Sequence, residues 1–206
     1  MELLKTERKS PAQSRSKERV AKILDAAAQV MAEKGYDGTT LREVANQAGV
    51  KQTSMYRYWP NKQAIVADLI ERFIDGQDQI LDQCFDLVER GNSWSDALEL
   101  FIHELRKTVE TDRWIAACHK ALISDPLLKS KDQRVQDHFT IRFGKLMAKA
   151  GVAKLDSTGE QVGRMMAVLL DAYVLSLNRH VKPGNEVIEK EFTRTMNGYL
   201  APFVGK

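Results

Sequence analysis

A short polar run near the N-terminus holds the residue types that read nucleic acid. Gln52, Thr53, Ser54, Tyr56 and Arg57 stand close together, with Lys51 just before them and Tyr58 and Lys62 just after. Glutamine can pair with the N6/N7 edge of adenine. Threonine offers a methyl group to thymine and a hydroxyl for hydrogen bonds. Tyrosine hydroxyls, lysines and helix N-termini suit phosphate oxygens. Each residue also has a plainer use: Gln52 and Arg57 can face water, and Tyr56 and Trp59 can pack a small core. Trp59 is read as packing and Tyr56 as contact.

The flanking sequence supplies the elements that would hold this run. From about Lys17, the residues Val20, Ile23, Leu24, Ala27, Val30 and Met31 recur at spacings of three and four, one apolar helical stripe that Gly35 can stop. Thr40-Leu41-Arg42-Glu43 has the pattern of a capping box. It opens a short helix with Leu41, Val44, Ala45 and Ala48 inward, and Gly49-Val50 breaks it. A second short helix is expected over residues 51–59 with Met55 inward. Pro60-Asn61 ends it, and Asn61 can cap the next. Two short helices joined by a tight glycine turn form a helix-turn-helix, whose second helix fits the major groove of B-form DNA.

The string TTLREVANQAGVKQTSMYRYWPNK at 39–62, with AAAQVMAEKGY at 26–36 before it, closely resembles the TetR (tetracycline-repressor-like) family of regulators. The likeness covers about residues 18–70. Beyond that it lies only in length and helix order. The resemblance implies that Thr40 caps the second helix and touches phosphate, and that Arg42 reaches a base or phosphate. It gives Gln52 and Thr53 base edges, Tyr56, Tyr58 and Lys62 phosphates, and Ser54 either. Lys51 departs from the pattern, since serine often stands there. Lysine caps less well but adds a phosphate or guanine contact.

The remaining chain reads as helix throughout, with no alternating β-branched run. Helices are expected over 62–89, with Gly76 as a point of bending, and from Ser93-Trp94-Ser95-Asp96, a second capping box. Others are expected from Asp112, as a cap, through Ile123, and near 131–150, 157–180 and 185–202. The expected fold is all-α: a three-helix helix-turn-helix head and a larger helical ligand-binding and dimerisation body, about nine helices in all. The corresponding division is a flexible basic arm at 1–16, a DNA-binding domain at 17–62 and a ligand-binding and dimerisation domain at 63–206.

One helix-turn-helix buries little area, and two related by a two-fold axis read a palindrome, so a dimer is expected. The last two helices are the candidates, through Val162, Met165, Leu169, Val174, Ile188, Phe192, Met196 and Tyr199. The resemblance places a four-helix dimer bundle here. Phe101, Leu105, Trp114, Cys118, His119, Phe139, Phe143, Met147, Met166, Leu170 and Tyr173 can line an apolar pocket, with His103, His119, Tyr173 and Asn178 as polar anchors. All of these also serve as ordinary core or surface residues.

Charge is uneven along the chain. Residues 1–62 carry twelve Lys/Arg against seven Asp/Glu, and residues 63–206 carry nineteen against twenty-one. The basic surplus lies at the end that would meet a polyanion. Lys5, Arg8, Lys9, Arg15, Lys17 and Arg19 can add phosphate or minor-groove contacts. Cys84 and Cys118 are far apart without CxxC spacing and read as buried thiols. No secretory signal or membrane span is evident, so a cytoplasmic protein is expected.

An enzyme is the first rival. His103, His119, His138 and His180 show no metal-ligand spacing, and neither GxSxG nor a phosphate loop occurs. Asp132 and Asp137 read as solvated helix faces. An interaction protein that kept the head but lost DNA recognition is the second rival. The expectation is therefore a repressor, not an enzyme, that a small, largely apolar effector releases from a palindromic operator, with no metal or organic cofactor. An activator or an effector-independent regulator is the alternative.

Overall fold

The structure, a computed structural model, describes residues 11–154, 156–177 and 184–204, with side chains from Ser16 onward. Among these residues it is all-α. Nine helices follow one another: α1 (Pro11–Gly38), α2 (Leu41–Ala48), α3 (Gln52–Met55), α4 (Lys62–Glu89), α5 (Trp94–Thr111), α6 (Trp114–Ser124), α7 (Lys129–Lys149), α8 (Ser157–Leu177) and α9 (Asn185–Leu200), with 3₁₀ turns at Pro126–Leu128 and Ala201–Phe203. Helix α1 begins at Pro11, so the last residues of the expected arm are helical rather than flexible. Lys5, Arg8 and Lys9 of that arm, and Asn178 and His180, lie outside the described residues.

The first three helices form around a small core. Ile23, Ala26, Ala27, Val30 and Met31 of α1 are buried against Leu41, Val44, Ala45 and Ala48 of α2 and against Met55. Gly35 leaves the helical region at φ 69°, as a stop at that position requires. Both halves of the Thr40 capping box form: the Glu43 N–H donates to Thr40 Oγ1 at 3.2 Å, and the Thr40 N–H donates to Glu43 Oε2 at 3.0 Å. At its other end α2 closes on Gly49, left-handed at φ 65°, and the Val50 N–H donates to the Ala45 carbonyl at 3.0 Å.

Helix α3 is shorter than expected, ending at Met55. The N–H groups of Tyr58 and Trp59 both return to the Met55 carbonyl, at 2.8 and 2.9 Å, in a turn. Pro60 bars continuation beyond Trp59, because the residue before a proline is held away from helical geometry. The turn drops Trp59 into the core, where its indole donates to Asp68 at 2.7 Å.

Helix α4 starts on the Asn61 cap, which accepts the Ala64 N–H at 2.9 Å, and runs as one helix through Gly76. Helix α7 lies parallel to it. Glu71 pairs with Lys131, Asp78 with His138, Asp82 with Arg142 and Glu89 with Lys149. The spacing along both helices is the same, which fixes their register. Such pairs contribute little each to stability where water reaches them. Helix α8 packs closely on α7 because glycine meets backbone there: a Cβ at Gly163 would lie 2.1 Å from the Thr140 carbonyl oxygen. The Ser93 box opens α5 as expected. Asp112 does not cap α6. Its N–H closes α5 on Thr108 at 2.8 Å, and α6 starts without a side-chain cap.

Candidate nucleic-acid interface and pocket

The polar run falls on α3 and the turn after it. Lys51, Gln52, Thr53, Tyr56 and Arg57 are exposed, as is Arg42 on α2. Met55 beneath them is sealed at 0 % exposure, so the outer face is carried on a fixed base. The Gln52 amide donates to the Tyr56 hydroxyl at 3.1 Å, which aligns two of the candidate contacts.

The other expected contacts are engaged locally. Thr40 is exposed, but its hydroxyl serves the capping box. Ser54 is half-buried. Tyr58 is half-buried too, and its hydroxyl lies 3.4 Å from that of Ser16 and accepts from Arg57 at 3.0 Å. These hydrogen bonds, Ser16 first, hold the phenol below its ordinary value. Lys62 donates to the Tyr36 carbonyl at 2.8 Å and sits 4.0 Å from the Tyr36 ring centre, so its ammonium braces the start of α4.

A latch joins this region to the helices behind it. The Tyr36 hydroxyl donates to Asp125, which also accepts from Gln63 at 2.8 Å. Burial, then the Asp125 hydrogen bond, raises the Tyr36 phenol, while the same bond lowers the Asp125 carboxyl.

Between α4, α5, α6, α7 and α8 lies a cavity of about 80 Å³. Phe101, Leu105, Trp114, Cys118, His119, Phe139, Phe143 and Leu170 line it, as expected, but Met147, Met166 and Tyr173 do not. Met147 and Met166 are consumed by packing at 0 % and 1 % exposure. Tyr173 turns instead to α9, its ring stacked on Phe192 at 4.4 Å. His103 pairs with Glu189 in a groove between α5 and α9, away from the cavity.

Sequence reasoning missed Phe73, Gln77, Asp132, Gln136 and Asp171, which also line it. The signal was present. Asp132, Gln136, Phe139 and Phe143 follow helical spacing on one face, as Ile70, Phe73 and Gln77 do on α4. Asp132 is therefore not on a solvated face. Burial, then Asp171 nearby, raises its carboxyl above the ordinary value.

The expected dimer residues divide. Val162 and Met196 have 0 % exposure and Val174 is buried against the cavity, so none of the three has area left for a partner. Leu169, Ile188, Phe192 and Tyr199 are half-buried. Met165 is exposed, and with Val168 and Ala172 it forms an outward stripe on α8; Val187 on α9 is exposed too. Val168 and Val187 were not anticipated.

Both cysteines are buried and unpaired, and burial pushes each thiol up to about 12. Among the described residues no cluster of metal-binding side chains forms and no helix is long and apolar enough to cross a membrane.

An all-helical chain with a capped helix-turn-helix at one end and a cavity-bearing helical assembly behind it has the build of a DNA-binding regulator. Residues 23–69 match the family described as bacterial regulatory proteins, tetR family. The chain is similar to the uncharacterised HTH-type transcriptional regulator YvkB of Bacillus subtilis, 24% identical over 89% of this chain and 94% of that one. It is 40% identical to IcaR of Staphylococcus epidermidis, the negative transcriptional regulator of the biofilm operon icaADBC, over 26% of this chain and 31% of that one. Its fold resembles that of the multidrug binding protein EbrR solved with malachite green, at a TM-score of 0.68 and 19% identity over 89% of this chain and 98% of that one. Residues 23–69 thus match the tetR family of bacterial regulatory proteins, and the fold of the chain is like that of TetR-family structures.

Proposed function

We propose that the chain is a homodimeric repressor that binds a palindromic operator through α3 and is released by a small molecule held in the cavity. The observation that carries this reading is the exposed face of Lys51, Gln52, Thr53, Tyr56 and Arg57 on a fully buried base. Residues 17–62 are then the DNA-binding domain and 63–206 the ligand-binding and dimerisation domain. Gln52 and Thr53 read base edges, while Arg42, Lys51, Tyr56 and Arg57 grip phosphates or guanine. Thr40 and Lys62 act chiefly by holding α2 and α4 in place. Repression rests on the likeness to IcaR, described as a negative regulator, and a ligand on the likeness to EbrR, described as binding malachite green.

The fold suggests how release works. Helix α4 begins at the head and supplies Ile70, Phe73 and Gln77 to the cavity wall. Helix α6, which supplies Trp114 and His119, packs on α1. A ligand that separates α4 from α7 moves the heads of the two protomers. It must favour the DNA-incompetent arrangement, or no equilibrium shifts.

Anisotropy titration of a mixed-sequence duplex across a salt series tests the DNA-binding face. Each phosphate contact adds about 0.9 to the slope of log affinity against log salt. The double variant Lys51→Ala/Arg57→Ala is expected to flatten the slope by up to about 2. An unchanged slope and affinity would remove α3 from the DNA.

A further inference from the structure

The cavity has a chemical bias that its apolar lining hides. Five aromatic rings face it, and Phe101 and Phe143 meet edge to face at 5.1 Å. Among the described residues no lysine or arginine lines it, whereas Asp132 and Asp171 do. Lys131, next in sequence to Asp132, is paired with Glu71.

Among the described residues, the buried side-chain atoms of the cavity left without a partner are Gln77 Oε1, an acceptor, and His119 Nδ1, an acceptor in the neutral ring. Gln77 is 1 % exposed, and its Oε1 has no hydrogen-bond partner. His119 Nε2 lies 2.6 Å from Asp171 Oδ1, which places the ring proton on Nε2, and the buried Nδ1 on the other side has no partner. Among the described residues Asp132 makes no ion pair; burial and Asp171 disfavour its carboxylate form, and an ammonium beside it would offset that cost and hold it as an anion. A buried acceptor left unmade is costly, so a ligand bearing donors gains more here than one bearing further acceptors. Aromatic faces favour a cation over a neutral group in the same space.

We propose that the cavity takes a protonated aromatic amine, its ammonium N–H groups directed to Asp132, Gln77 Oε1 and His119 Nδ1 and its apolar part among Trp114, Phe139 and Phe143. This rests on the reading of the cavity as the effector site and names the effector's chemical class. The carboxylates supply the opposite charge. Gln77 lies on α4, so engaging its Oε1 draws directly on the helix that carries the head.

Three probes of equal length and different charge decide the matter: 4-phenylbutylamine, 4-phenylbutan-1-ol and 4-phenylbutanoate. Each is titrated calorimetrically into the native full chain at neutral pH without DNA. The amine is expected to bind at least about tenfold more tightly than the alcohol, and the carboxylate weakest, a gap of about 1.4 kcal/mol between the first two. In Asp132→Asn and Asp171→Asn the amine-to-alcohol ratio is expected to shrink to about threefold or less. Each ratio is taken within one protein, so a change in overall stability cancels. The native panel decides alone if a variant fails to fold. Equal binding of amine and alcohol, tightest binding of the carboxylate, or a ratio the variants leave unchanged would overturn the assignment while leaving an effector cavity in place. Binding of none of the three would overturn both.

Discussion

Gln52 and Tyr56 sit one helical turn apart, and the 3.1 Å bond between them gives the amide a set direction before any DNA arrives. Pre-set side chains lose less freedom on binding. Gln52→Ala is therefore expected to weaken operator binding by about 1–3 kcal/mol and to relax base choice at one position in each half-site. Competition between duplexes altered at single positions measures this, and an unchanged preference would assign Gln52 to solvent. The residue types at 51–57 gave the exposed face, because alternation of Met55 with polar neighbours is legible in a string. The local partners of Thr40, Tyr58 and Lys62 were not, since they depend on where Glu43, Ser16 and Tyr36 come to lie.

Element ends were legible wherever the signal was local. The capping boxes at Thr40 and Ser93, the Asn61 cap and the stops at Gly35 and Gly49 all stand where the sequence places them. The early end of α3 was not legible, because it goes with the burial of Trp59, a tertiary demand. The close approach of α7 and α8 was not legible, because a glycine inside a helix does not say what lies opposite. Gly163→Ala is expected to destabilise the fold by about 1–3 kcal/mol or more, since the new methyl meets the Thr140 backbone rather than a side chain that can move. Thermal unfolding reads this, and a midpoint equal to that of the native chain would contradict the packing.

The Tyr36–Asp125–Gln63 latch has a pH signature at the same scale. Hydrogen bonds, Tyr36 first, lower the folded-state value of Asp125 below 3.8. Its contribution to stability is then present above the unfolded value and lost as pH falls through the folded one. Asp125→Asn is expected to be less stable than the native chain near neutrality, with the gap closing below pH 3.8. Denaturant unfolding at several pH values measures the gap, and a gap that widens in acid would refute the latch.

One hydrophobic core runs from Ile23 in α1 to Leu200 in α9, so the buried face of the head is continuous with that of the helices behind it. In the proposed release mechanism, α4 and α6 are the route by which a change in the cavity reaches the DNA-binding face. The all-α class and helix order were legible from periodicity. Which apolar residues of α8 stay at the surface was not, because the helix is apolar on more than one side: Val162 and Val174 turned inward while Met165 and Val168 turned out. Met165→Glu with Val168→Glu is expected to shift the chain to monomer in sedimentation velocity while preserving its helical spectrum. A dimer that survives both would move the interface elsewhere.

The pairing of two α3 helices on base pairs is tested most directly by selecting from random duplex DNA with the purified chain and sequencing what is retained. The expected product is an inverted repeat whose half-sites both change at the same position when Gln52→Ala replaces the native chain. Retention of no preferred sequence, or of a single unrepeated site indifferent to Gln52, would contradict that pairing.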